Sequence, residues 1–187
     1  MPENKVRFNL KNMHYAVATE ADGALTFAAP VAVPGAVSLA LSPQGELTKF
    51  YADGIVYYQS QANDGYQGDL EMALFPPQML MDVWGYTQGE TSKVLTEHAD
   101  VEPATFALLF EIDGDADQQH YVMYACTGTR PGVGSTTNTN TKEPQTQTST
   151  ITAAPMANGI VFARTTGDTP TATKTGWYSK VFVEGAT

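Results

Sequence analysis

Residues 141–152, T-K-E-P-Q-T-Q-T-S-T-I-T, form a polar run that alternates from Gln145 onward, but with threonine on one side rather than an apolar residue. Thr146, Thr148, Thr150 and Thr152 fall on one face of an extended chain, and Gln145, Gln147, Ser149 and Ile151 on the other. Threonine is branched at Cβ and suits a pleated backbone. The run therefore favours a strand whose two faces are both mostly polar, which an ordinary core cannot hold. It needs neighbours in a sheet to complete its hydrogen bonds, with water or another chain against its faces. A threonine-rich linker would share this composition. Strand-like segments flank the run on both sides, so the expectation is a surface strand or an assembly surface.

The 187 residues are enough for a core without covalent staples, since a chain of this size buries roughly 70% of its extended surface. Charged residues make up 16% of the chain, below the usual quarter or so, which leaves much surface suited to contact with protein. Twenty acids against ten bases give a net charge of −10. The bases are scattered, whereas a nucleic-acid binder needs them clustered to neutralise phosphates. An acidic protein can still work beside DNA if its task is not to adhere. Cys126 is the only cysteine, so there is neither an intrachain disulfide nor a cysteine-based zinc site, and a cytoplasmic assembly environment fits. The start, M-P-E-N-K-V-R-F, does not read as a signal peptide, and no run approaches the ~18 apolar residues of a membrane-spanning helix.

Along the chain, short strands alternate with turns. Residues 15–18 and 25–28 are apolar and are separated by an Asp22-Gly23 turn. Residues 36–41 alternate, with Val37, Leu39 and Leu41 expected on one face, and Ser42-Pro43-Gln44-Gly45 is expected to end that strand. Residues 46–53 follow no clean period and read as a connection carrying Leu47, Phe50 and Tyr51. Residues 54–60 and 66–75 read as strands joined through Asn63-Asp64-Gly65, with Leu70, Met72 and Leu74 facing one way and Asp69 and Glu71 the other. One helix is expected, opened by Pro76-Pro77 and closed by Gly85, with Met79, Leu80, Val83 and Trp84 on its packed face. Residues 105–112 and 119–130 form a second hairpin, 131–140 a mobile loop, and Asn158-Gly159 a turn before a strand at 160–164. Residues 165–176 read as loose and polar, and 177–183 as a closing strand. About nine strands and one helix make a mainly β protein, a β-sandwich or open barrel with one flanking helix and long loops.

Motifs for chemistry are incomplete. Asp113, Asp115 and Asp117 begin like a calcium loop, but Gln118 and Tyr124 stand where glycine and glutamate are needed. His14, His98 and His120 show no metal-ligand spacing. Cys126 has no local nucleophile signature, and Pro131-Gly132-Val133-Gly134-Ser135 lacks the lysine of a phosphate loop. Asp69 and Glu71 are spaced as the wet face of a strand rather than as a catalytic pair. These readings call for no cofactor, no metal and no catalytic residue.

Several segments in order resemble the major tail proteins of bacteriophages with long, non-contractile tails. They are N-L-K-N-M-H-Y-A at 9–16, P-G-A-V-S-L-A-L-S-P-Q-G at 34–45, F-Y-A-D-G-I-V-Y-Y at 50–58 and G-Y-Q-G-D-L-E-M-A-L-F-P at 65–76. F-A-L-L-F-E-I-D-G-D at 106–115, Y-A-C-T-G-T-R-P at 124–131, K-E-P-Q-T-Q-T at 142–148 and W-Y at 177–178 continue the series. The resemblance implies a single tail-tube domain over 1–187, without the C-terminal immunoglobulin-like domain of some relatives. It implies hexameric rings that stack into a tube, assembled in the host cytoplasm and carried in the virion. Tape measure, terminator and initiator proteins are the implied partners, and genomic double-stranded DNA passes without specific binding. Within that reading, Phe50, Tyr51, Tyr57 and Tyr58 are candidates for contact between rings, and Asp69 and Glu71 for the acidic lumen lining. The alternative is a secreted-type β-sandwich holding carbohydrate on surface tyrosines; an enzyme is the least favoured reading.

Overall fold

The computed structural model describes residues 3–21, 23–137 and 143–185. In chain order its elements are β1 (Arg7–Ala21), β2 (Ala24–Phe27), β3 (Val31–Ala32), β4 (Ala36–Gln44), β5 (Leu47–Ala52), β6 (Ile55–Gln61) and β7 (Gly65–Met72). Helix α1 (Pro77–Trp84), β8 (Thr87–Gln88), β9 (Leu95–Thr96), β10 (Phe106–Gly114), β11 (Gln119–Gly128), β12 (Gln147–Ala153), β13 (Phe162–Arg164) and α2 (Thr171–Gly176) follow. The main antiparallel sheet runs β2-β1-β10-β11-β12-β7-β4, with β3 also on β1 and β13 also on β11. The protein is mainly β and sandwich-like, as expected.

The reason for the layers is legible in β10. Phe106 to Glu111 are buried without interruption, the pattern of a strand covered on both faces. On one face Tyr15, Leu70, Met72, Phe106, Leu108 and Ile151 pack under Phe75 and helix α1, through Met79, Val83 and Trp84. On the other, Ala16, Ala107, Leu109, Val122 and Tyr124 lie under Met156, Trp177 and Val181 of the C-terminal segment. Helix α1 begins at Pro77 and is capped by Gly85, whose φ of 67° turns the chain so that its N–H donates to the Met81 carbonyl at 3.1 Å and the Tyr86 N–H to the Leu80 carbonyl at 3.2 Å.

Six sequence expectations are corrected. A bulge between Ala36 and Ser38 puts Ala36, Leu39 and Leu41 against the core and turns Val37 outward. β4 also runs on through Pro43, because it ends the sheet and needs no outward N–H there. Residues 46–53 are largely strand β5, paired with β6. Asn63-Asp64-Gly65 does not join a paired hairpin, since β7 pairs with β4 and β12 and not with β6. The threonine run is not polar on both faces. β12 lies inside the sheet between β11 and β7, with Ser149, Ile151 and Ala153 buried and the threonine face outward; Thr141 and Lys142 lie outside the described residues.

The sixth correction concerns the C-terminal segment. Residues 177–183 are not a strand, and α2 occupies part of the stretch expected to be loose. Trp177 donates its indole N–H to the Tyr121 carbonyl at 3.3 Å and stacks on Phe182, while the Tyr124 hydroxyl donates to the Phe182 carbonyl. Covering an apolar sheet face outweighs the strand preference of W-Y-S-K-V-F-V. Asp22, half of one expected turn, and residues 138–140 of the expected mobile loop lie outside the described residues.

Under this C-terminal cover sits a buried polar group. Glu111 is within 3.3 Å of Lys11 and 3.6 Å of His120 Nδ1, and accepts a hydrogen bond from Asn12 Nδ2 at 2.6 Å. His120 also lies 3.4 Å from the Tyr178 hydroxyl. Burial holds the imidazole below its ordinary range, against the pull of Glu111 and Asp117 and with the push of Lys174 and Lys11. The unfolded chain therefore takes up a proton near pH 6.5 that the folded chain refuses. Its contribution to stability is full above that pH and falls as pH drops toward the lower folded value. Thermal unfolding followed from pH 7.5 to 5 is expected to show a falling midpoint, and His120→Asn should flatten that slope. An unchanged slope in the variant would contradict the assignment.

Candidate assembly surfaces

Among the described residues β5 and β6 pair only with each other. They continue the β4–β7 ladder through Asp64 N–H to the Gln44 carbonyl (2.9 Å) and Ala62 N–H to the Glu46 carbonyl (3.0 Å). The result is one long ribbon whose outer half leaves the sheet as an arm. Gly65 sits at the bend with φ of 106°, where a Cβ would lie 2.0 Å from the Ala153 carbonyl oxygen; only glycine fits. At the tip, Asp53 and Gly54 have φ of 53° and 75°. Two consecutive positive values suit a two-residue hairpin turn, and Asp-Gly is its usual sequence.

Among the described residues nothing covers this arm. Phe50 is 59% exposed, Tyr51 61%, Tyr57 71% and Tyr58 61%, and Leu47, Ile55 and Val56 are exposed as well. Phe50 sits opposite Tyr58 and Tyr51 opposite Val56, with Tyr57 the extra residue of a bulge. Cross-strand partners share a face, and consecutive residues of β5 point to opposite faces, so apolar groups stand on both sides of the ribbon. A lone two-stranded ribbon is marginal in water, and this one has no core face. All four aromatic residues singled out from sequence thus come together on one projecting element.

The second surface is the open face of β4, β7 and β12. Asp69 lies opposite Ala40 and Thr150, Glu71 opposite Ser38 and Thr148, and Gln67 opposite Ser42 and Thr152. Thr150 Oγ1 donates to Asp69 Oδ1 at 2.8 Å, Thr146 Oγ1 to Glu71 Oε1 at 2.6 Å and Ser38 Oγ to Glu71 Oε2 at 2.8 Å. The Thr146 and Ser38 hydroxyls hold the Glu71 carboxyl below the usual carboxylate range. Among the described residues neither acid has a Lys, Arg or His within 4 Å. The face is hydroxyl-rich and negatively charged, and it brings together the two acids singled out from sequence. The threonine face was legible in the alternation of the run; that it stands beside Asp69 and Glu71 was not.

The remaining polar groups have structural roles. Asp113 and Asp117 pair with Lys11 at 2.7 Å and Lys174 at 2.6 Å, and Asp115 accepts the Lys5 backbone N–H at 2.8 Å. His14 stacks on Tyr178. Cys126 is fully buried, which pushes its thiol up to about 12. Among the described residues no three His, Cys, Asp or Glu side chains converge as metal ligands, and no helix is long and apolar enough to cross a membrane. Comparison with protein-family models and with curated proteins gives no match to this chain.

Proposed function

We propose that this chain is the structural subunit of a bacteriophage tail tube, closing into six-membered rings that stack into a conduit for genomic DNA. The carrying observation is the β5–β6 arm, which offers apolar side chains on both faces and has no partner among the described residues of its own subunit. Such a surface needs another protein to cover it. A second copy is the economical partner, because β4 also ends the sheet with an unpaired edge, and a ring hides such edges by pairing them. A head-to-tail contact that closes makes a ring, and stacking along the axis makes a tube. The arm, carrying Phe50, Tyr51, Tyr57 and Tyr58, serves the contact between rings.

The open face with Asp69 and Glu71 is the lumen lining in this reading. Duplex DNA carries a negative charge about every 1.7 Å. A wall of hydroxyls and carboxylates without cations repels it and leaves it free to slide. Six copies carry 6 × −10 = −60 per ring, and Asp69 and Glu71 supply 6 × 2 = 12 of the acids. Tape measure, terminator and initiator proteins complete the tail in this reading.

The test is to pellet tubes with short duplex DNA at low salt, comparing the wild type with the double variant Asp69→Asn/Glu71→Gln. Wild-type tubes should leave the duplex in the supernatant, and the neutralised tubes should retain more of it. Equal retention would remove the lumen assignment. Absence of tubes from the wild-type chain at any concentration would remove the assembly itself.

A further inference from the structure

The sheet curls so that β4 comes near β1 without pairing to it, leaving an open cleft of about 370 Å³. Leu39, Leu41, Ile112 and Phe162 supply apolar walls, and Arg7 and Arg164 stand among them. Arg7 Nη1 donates to the Tyr121 hydroxyl at 3.3 Å. Among the described residues neither guanidinium has a carboxylate within 4 Å. An apolar trough with two unneutralised cations suits an apolar segment that carries a carboxylate.

The same chain presents such a segment. At the arm tip Tyr51, Ile55 and Val56 flank Asp53, and no Lys, Arg or His lies within 4 Å of the Asp53 carboxylate among the described residues. No residue of the arm lines the cleft of its own subunit. The six residues of β5 project roughly 20 Å beyond the bend at ~3.3 Å per residue, far enough to reach a neighbour.

We infer that the cleft between β1 and β4 receives the β5–β6 arm tip of a second copy, with Asp53 set between Arg7 and Arg164. This rests on the self-assembly reading and supplies the receiving surface for the arm. The contact is heterologous, arm to cleft, so each copy both gives and receives, as ring closure or stacking requires.

Single cysteines test the geometry, because the buried Cys126 is a poor thiolate at neutral pH. One preparation carries Ile55→Cys at the tip and another Phe162→Cys at the cleft, with Phe8→Cys as a second cleft position because its side chain is more exposed. Mixing the two under mild oxidation should give a disulfide-linked heterodimer at least about tenfold above either preparation alone, since the bond forms only when the Cα atoms come within ~7 Å. Arg164→Glu should suppress that product, and Asp53→Arg in the partner should restore it. Tubes that form without the mixed cross-link, or with Ile55→Cys linked only to itself, would overturn this inference and leave self-assembly standing. A monomer at every concentration would overturn both.

Discussion

Replacing Phe50, Tyr51, Tyr57 and Tyr58 together with alanine is expected to abolish self-association while leaving the subunit folded. Aromatic anchors at interfaces typically lose about 1–2 kcal/mol or more each on truncation. Four of them sum to roughly 4–8 kcal/mol, which raises the concentration needed for assembly by a factor of about a thousand or more. The subunit should notice little. These side chains are more than half exposed and pack against no core, and exposed substitutions usually stay within about 0.5 kcal/mol. The hairpin itself loses the Phe50–Tyr58 cross-strand pair, a local loss of roughly 0.2–1 kcal/mol. Light scattering across concentration reads the first effect and circular dichroism melting the second. If the quadruple variant assembled at wild-type concentrations, the arm would not be the assembly element. If it melted far below the wild type, the arm would instead be part of the subunit's own stability.

Trp84→Ala is expected to be the opposite case, a loss of the fold itself. Trp84 is fully buried at the end of α1, meets Phe75 edge-to-face at 5.3 Å between ring centroids, and donates its indole N–H to the Gly128 carbonyl at 3.0 Å. It ties the helix to the strand that pairs with β10 and β12. Truncation removes a large packed volume, worth about 3–5 kcal/mol, and leaves a buried carbonyl without its donor, which adds about 1–3 kcal/mol. Against a total stability of about 5–15 kcal/mol, this removes at least about a quarter and, at the low end of that range, all of it. At about 2–4 °C per kcal/mol for a chain of this size, the melting midpoint should fall by more than about 10 °C. A shift of only ~3 °C or less would mean that the helix is not anchored through this residue. Trp84→Phe, which keeps volume but not the N–H, should lose less and so separate packing from the hydrogen bond.

What the sequence carried plainly was local. Pro76-Pro77 and Gly85 bounded α1, and the spacing of Met79, Val83 and Trp84 gave its buried face. The apolar run at 106–111 and the aromatics of 119–128 were legible as strands because β10 is covered on both sides. What escaped was decided by tertiary context. The Asp53-Gly54 turn was written in the chain, but the uneven pattern of 46–53 hid its strand, because a ribbon with no buried face has no reason to alternate. In β12 Ile151 and Ala153 marked the buried side; Ser149 goes inside because its hydroxyl donates to the Thr129 carbonyl at 2.6 Å, which alternation cannot reveal. Residues 177–183 have strand composition, yet Trp177 and Val181 serve as a lid over the sheet.

The candidate surfaces were legible in a different way. Phe50, Tyr51, Tyr57 and Tyr58 stand out by type and nearness in sequence, and their shared element follows from the turn between them. Asp69 and Glu71 follow from strand parity. Their hydroxyl setting could not be read, because Ser38, Thr146 and Thr150 reach them only through the order β12-β7-β4. The Arg7–Arg164 cleft was equally hidden, being built from strands far apart in the chain.

The most direct test is negative-stain electron microscopy of the purified chain over a range of concentrations. Six-fold rings that stack into hollow tubes of uniform width are the expected result. A monodisperse monomer at every concentration would contradict self-assembly.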